Sequence, residues 1–169
     1  AVAAAVKSER IRLATGVLIP SNRIAPVTAS ALASLNRLAP RRIDFGIGTG
    51  FTARRTMGLS AVTLAATREY VRIVRALLDR ETTEWEFEGE RRKIRFLNPD
   101  LELINTTDPI PFHFGALGPK GKKLAAETGM NWVIPVRDNA AAFSQVRAMQ
   151  DEWQGAGRDP AGLYTTAQV

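Results

Sequence analysis

IDFGIGTGFTARR, residues 43–55, places three glycines (Gly46, Gly48 and Gly50) after a short apolar run, with two arginines close behind. Glycines at the end of a buried strand are a common entry to a nucleotide site, so the first question is which fold this turn belongs to. A dinucleotide fingerprint needs G-x-G-x-x-G opening a helix. Gly46 and Gly48 fit, but position 51 is Phe and Gly50 falls one residue early. The next strongly periodic helix starts only near Ser60, too late for its N-terminus to meet a pyrophosphate held by Gly46 and Gly48. A G-x-x-x-x-G-K-[ST] phosphate loop is absent. Both nucleotide motifs fail. The glycines then either allow a tight strand exit or let a flat ring or phosphate approach the backbone.

Outward from this turn, strand and helix patterns alternate. RIRLATGVLIP (10–20) is a β-rich run ended by proline. Residues 25–39 have Val27, Ala31, Leu32, Leu35 and Leu38 at helical spacing, with Pro26 in the first turn. Residues 60–81 form the most periodic helix, with Ser60 as its N-cap and Leu64, Val71, Val74, Leu77 and Leu78 on one face. Residues 83–97 read as a hairpin turning around 88–90. Strand patterns at 110–117, 131–136 and 162–169 enclose helices that begin near Gly118 and span 139–157, and residues 1–10 read as the end of a helix. The order is β-α-β-α-hairpin-β-α-β-α-β. It implies an α/β protein with parallel strands, either doubly wound or a (β/α) barrel.

Composition narrows the class. The chain has 169 residues, 45% of them hydrophobic and 24% charged, as expected of a globular domain. Its longest apolar runs fall short of the ~18–20 residues that span a bilayer. Cysteine is absent, which excludes disulfides and thiolate chemistry and fits a cytoplasmic protein. The net charge of +6 invites a nucleic-acid reading, but the positives are dispersed and no zinc spacing or basic helix accompanies them. An anionic cofactor or substrate accounts for part of the surplus equally well. His113, the only histidine, lies on the opposite strand face from Phe112 and Phe114 and reads as structural. Trp85, Trp132 and Trp153 read as packing residues.

RIRLATGVLIPSNRIAPVTASALASLNRLAPRRIDFGIGTG (10–50) resembles the central part of the luciferase-like monooxygenases. The likeness continues through LAATREYVRIVRALLDRETTEWEFEG and DPIPFHFGALGPKGKKLAAETG, nearest to the methylenetetrahydromethanopterin reductase-like branch. The resemblance implies an incomplete (β/α)8 TIM barrel with a small hairpin insertion, residues 1–169 supplying strands three to seven of a larger single domain. Whole barrels need about 250 residues. Five strands alone would leave open sheet edges, and such a fragment is expected to be inactive by itself. The implied activity is that of an oxidoreductase using FMN or coenzyme F420 (a deazaflavin). It would perform hydride transfer or monooxygenation on a small organic substrate, with no nucleic-acid, membrane or metal partner. Homo-oligomerisation stays open. A truncated, non-catalytic barrel piece or a Rossmann-type domain are the alternatives.

The resemblance also carries residue roles. Gly16 and Val17 match a position where many members have a non-proline cis peptide that backs the cofactor ring. Thr49, Gly50 and Phe51 match the loop bordering the cofactor, with Arg54 or Arg55 placed to pair with a phosphate or acidic tail. Gly115, Ala116, Leu117 and Gly118 match a loop that contacts the cofactor's ribityl chain and phosphate. There the amides of Gly118, Lys120 and Gly121 and the charges of Lys120, Lys122 and Lys123 would favour an anion. Catalytic residues are expected in other strands and none is named.

Overall fold

Ile43, Phe45 and Ile47 alternate with Asp44, Gly46 and Gly48, so β2 (Ile43–Gly48) presents large apolar side chains to one face and small or acidic ones to the other. The same split recurs in β5 (Phe112–Gly115) and β6 (Asn131–Pro135), where Phe112, Phe114, Trp132 and Ile134 share the apolar face. In the computed structural model, which describes residues 1–135 and 138–168, these strands join β1 (Leu13–Ala14) and β7 (Thr165–Gln168). Together they form one parallel sheet in the order β1-β2-β5-β6-β7. It curls as part of a barrel wall, with helices covering the outer, apolar face.

Those helices are α1 (Val2–Lys7), α2 (Ala25–Leu38), α4 (Leu64–Leu78), α5 (Pro119–Thr128) and α6 (Asn139–Gly155), while the short α3 (Phe51–Thr56) follows the carboxyl end of β2 and buries none of its residues. In α4, Tyr70, Val71, Ile73, Val74, Leu77 and Leu78 are buried at helical spacing. Fully burying a side chain such as Leu77 contributes about 1.5–3 kcal/mol. Thr63, rather than Ser60, caps this helix, its hydroxyl accepting from the Ala66 N–H at 3.1 Å. Asp138 does the same for α6 through Ala141.

Two helix expectations need correction. The buried face of α2 is Ala25, Thr28, Ala29, Leu32, Ala33 and Asn36, while Val27 and Leu38 are exposed. The polar pair is buried because it finds partners. Thr28 bonds the Tyr70 hydroxyl at 2.6 Å, and the Asn36 amide donates to the carbonyls of Asn105 and Asp108. Second, a helix does follow the glycine turn at once: α3 begins at Phe51 with Gly50 as its N-cap. Its six residues carry too little periodicity to stand out in the sequence.

The hairpin is present: β3 (Thr83–Phe87) pairs antiparallel with β4 (Glu90–Ile94). Glu88 and Gly89 have φ of 54° and 75°, the left-handed pair of a two-residue turn whose twist matches the strands. Trp85 stacks on Phe87 at 4.6 Å, and Arg72 ties the ribbon to α4 through Thr83 Oγ1 and the Glu84 carbonyl. The ribbon thus decorates the outside and leaves the inner face alone.

Candidate functional site

The run 10–20 is not one continuous strand. After Ala14 the chain leaves the sheet, crosses its inner face and rejoins it by a single bridge between Leu18 and Ile47. The Gly16–Val17 peptide within this excursion is cis, as the resemblance implied. Three hydrogen bonds hold the excursion to β2. Thr15 Oγ1 and the Leu18 N–H donate to the Gly46 carbonyl at 2.6 and 2.8 Å, and the Gly48 N–H donates to the Leu18 carbonyl at 3.0 Å.

The space above the glycines is therefore taken by the chain itself. A Cβ added to Gly46 would lie 1.9 Å from the Thr15 carbonyl oxygen, and one on Gly48 would lie 2.7 Å from Val17 Cγ2. On Gly115, across the register from Gly48, it would stand 3.6 Å from Val17 Cγ1. The expectation that Gly46 and Gly48 open the backbone directly to a flat ring is corrected. What a ring would meet there is the half-buried Val17.

Gly50, with φ of 73°, sits over Ile19 and turns the chain into α3. Thr49 is half-buried and its carbonyl accepts from the Val62 N–H at 2.9 Å, closing the loop between them. Phe51 is 61% exposed at the carboxyl end of β2, with the Arg55 guanidinium 5.7 Å from its ring centre. Arg54 is engaged locally, donating from Nε to the Ser60 carbonyl.

The loop after β5 divides in two. Leu117 is 63% exposed and Gly118 is exposed. Ala116 is buried instead, packed toward Gly121, while its carbonyl accepts from Trp132 Nε1 at 2.8 Å. At the start of α5 the Gly121 and Lys122 N–H groups already donate to the Gly118 carbonyl. The expected lysine cluster also disperses. Lys122 is buried with Nζ 5.0 Å from the Trp132 ring centre, and burial lowers its pKa against a weaker pull from Glu152. Lys123 turns to Glu127 at 3.9 Å. Lys120 keeps the expected exposed position near Gly118. Beside Leu117, a cleft of about 330 Å³ runs along Ile134, Pro135 and the first turns of α6.

Sequence reasoning missed a polar cluster deeper on the inner face. Asp44 receives two bonds from Arg12, Nε and one terminal nitrogen each at 2.8 Å, and one from His113 Nε2 at 3.2 Å. Burial alone would raise the Asp44 pKa, but these bonds and the Arg12 charge outweigh it and hold the carboxyl below its ordinary range. An ionised Asp44 fixes the proton of His113 on Nε2. Nδ1 is buried and has no partner among the described residues. Tyr164 meets the imidazole edge-on at 5.8 Å. Strand alternation could have found the cluster, since Asp44 shares the face opposite the large apolar residues with the single histidine.

The profile of a family described as luciferase-like monooxygenase matches residues 1–169. The chain belongs to the luciferase-like monooxygenase family. This luciferase-like chain is 29% identical over 174 residues to the F420-dependent glucose-6-phosphate dehydrogenase of Kineococcus radiotolerans, covering 98% of the chain and 50% of that protein. It is 31% identical over 161 residues to the 5,10-methylenetetrahydromethanopterin reductase of Methanolobus tindarius, covering 92% of the chain and 47% of the relative. The coenzyme F420 dependent tetrahydromethanopterin reductase from Methanopyrus kandleri superposes with a TM-score of 0.79 at 23% identity. That match covers 99% of the luciferase-like chain and 52% of the other, and shows the barrel-type fold. The chain thus spans about half the length of the curated relatives it matches. Among the described residues no helix is long and apolar enough to cross a membrane, and no cluster of three metal-ligating side chains occurs.

Proposed function

We propose that residues 1–169 act as one domain's cofactor-holding part within a larger (β/α)8 barrel, in an oxidoreductase that binds coenzyme F420 or FMN. The observation that carries this reading is the convergence of Val17, Gly48 and Gly115 at the carboxyl ends of β1, β2 and β5, where barrel sites lie. The surface there is small and apolar, flanked by Phe51 and Leu117, and no large side chain crowds Gly115. That suits a planar tricyclic ring. When bound, such a cofactor supplies hydride transfer or oxygen activation toward a small organic substrate.

The chain's own part is to bind and orient. Val17 and Gly16 form a wall behind the ring, and Thr49, Gly50 and Phe51 border one side. Gly115, Leu117 and Gly118 border the other, with Lys120 available to an anionic group. Arg54 and Ala116 are left out of the contact set, since the first holds Ser60 and the second is buried toward α5. Coenzyme F420 is favoured over FMN, because curated relatives at 29–34% identity include several F420-dependent enzymes and the net charge of +6 suits an acidic tail. The reading includes a cytoplasmic location, which the cysteine-free sequence fits, and a small-molecule substrate in place of a nucleic-acid or membrane partner. Fluorescence titration of the purified whole-barrel protein that contains residues 1–169 with each cofactor tests it. Saturable, stoichiometric binding of coenzyme F420, or of FMN, is expected; the absence of binding by both refutes it.

A further inference from the structure

The glycines that first suggested a ligand turn are contacted by the chain itself, and that contact assigns residues outside the expected site a role. Gly46 and Gly48 form the floor under the excursion 15–18, and no side chain fits on either. The methyl of an alanine would collide with the Thr15 carbonyl oxygen at 1.9 Å in the first case and with Val17 Cγ2 at 2.7 Å in the second. The side of this seat is a hydrogen bond, Thr15 Oγ1 to the Gly46 carbonyl at 2.6 Å. The two backbone bonds through Leu18 then fix the far end of the excursion. Val17 is consequently held from below by Gly48 and laterally by Gly115, whose added Cβ would make only ordinary contact at 3.6 Å.

We infer that Thr15, Gly46 and Gly48 are positioning residues: they form a socket that sets the height and direction of the Val17 side chain, and so the depth of the ring site. The inference rests on the cofactor reading above. It goes beyond that reading by giving the glycines to Val17 instead of to the ligand. A rigid seat matters because a planar ring gains contact only from a wall that is already in place, so that no ordering cost accompanies binding. The socket is built from two segments about thirty residues apart (Thr15 and Gly46 are separated by 31), so it exists only once β1 and β2 have paired.

The test combines thermal unfolding with titration by coenzyme F420 and by FMN for four variants. Gly48→Ala is expected to lower the unfolding midpoint by about 3 °C or more and to weaken cofactor binding at least about tenfold. Adding Val17→Ala to Gly48→Ala vacates the colliding methyl. The double variant is expected to recover the midpoint without recovering affinity, a split that a purely structural role would not produce. Thr15→Val removes the hydroxyl at nearly constant shape and is expected to weaken binding severalfold in a folded protein, whereas Thr15→Ser retains wild-type affinity. The inference is overturned if Gly48→Ala or Thr15→Val binds as tightly as the wild type, or if the double variant regains affinity together with stability. Wild-type protein that binds neither cofactor refutes the cofactor reading, and the wall role with it. In that event the unfolding midpoints alone still decide whether Gly48 seats Val17.

Discussion

Asp44 and His113 occupy the inner face of β2 and β5, and Gly48 and Gly115 occupy the same face of the same strands closer to their carboxyl ends. The strand alternation treats all four alike, yet the two levels behave in opposite ways. The lower level is charged, buried and bonded to itself, with Arg12 closing over Asp44. The upper level has no side chains of its own and is filled by Val17 from a neighbouring segment. The comparison teaches how one sheet face serves two ends. Polar groups bonded to one another make a floor, and missing side chains above that floor leave room for a shaped wall.

The sharpest way to break the comparison is to put a side chain into the upper level. Gly46→Ala drives a methyl into backbone, which has no rotamer to yield, and is expected to cost at least about 3 kcal/mol or to prevent folding, as urea denaturation would show. A normal denaturation midpoint would mean that the excursion 15–18 is not seated as described. Next comes the lower level. Asp44→Asn keeps the shape but removes the charge that Arg12 and the His113 N–H face, and a loss of about 1–3 kcal/mol is expected from the same measurement.

Acid separates the two levels further. The folded-state pKa of Asp44 lies below its ordinary value of 3.8, so the unfolded chain binds the proton more readily. The stabilisation from Asp44 is therefore complete above that ordinary value and is lost as pH falls through the lower, folded one. Wild type should lose stability below about pH 4 more steeply than Asp44→Asn does; parallel curves would place the acid sensitivity elsewhere. Gly50→Ala tests the rim of the upper level. Its φ of 73° and a contact of 2.7 Å to Ile19 predict a loss of about 1–2 kcal/mol in thermal unfolding. The smallest effect is expected far from both levels: Arg68→Ala breaks an exposed pair with Glu127 and should shift stability by less than about 0.5 kcal/mol.

Much of this architecture was legible in the sequence, because strand alternation and helical periodicity are local. The face of His113 opposite Phe112 and Phe114, the hairpin and the buried face of α4 all followed from neighbours in the chain, although α4 runs Leu64–Leu78 and not 60–81. Family motifs carried the barrel and the Gly16–Val17 peptide. What escaped depends on distant partners. Thr28 and Asn36 look like surface positions until Tyr70 and the 105–108 loop, 42 and 69–72 residues away, arrive to bond them. Lys122 looks like a free charge until Trp132 receives it. The glycines look open to a ligand because nothing near them in the chain shows that Val17 returns to cover them.

The position of the hairpin has one further consequence, in the order of assembly. β2 and β5 are sheet neighbours, yet all of α3, α4 and the ribbon lies between them, and the Asp44–His113 bond joins residues 69 positions apart. Closing so long a loop loses chain entropy before any contact compensates for it, whereas α4 and the ribbon need only near neighbours. The two parts of the sheet should then dock late, after the transition state for folding. Stopped-flow kinetics of Asp44→Asn would accordingly show faster unfolding at an almost unchanged refolding rate, while a slowed refolding limb would place that docking early. An insertion that never touches the inner face would in this way set the tempo at which the face is made.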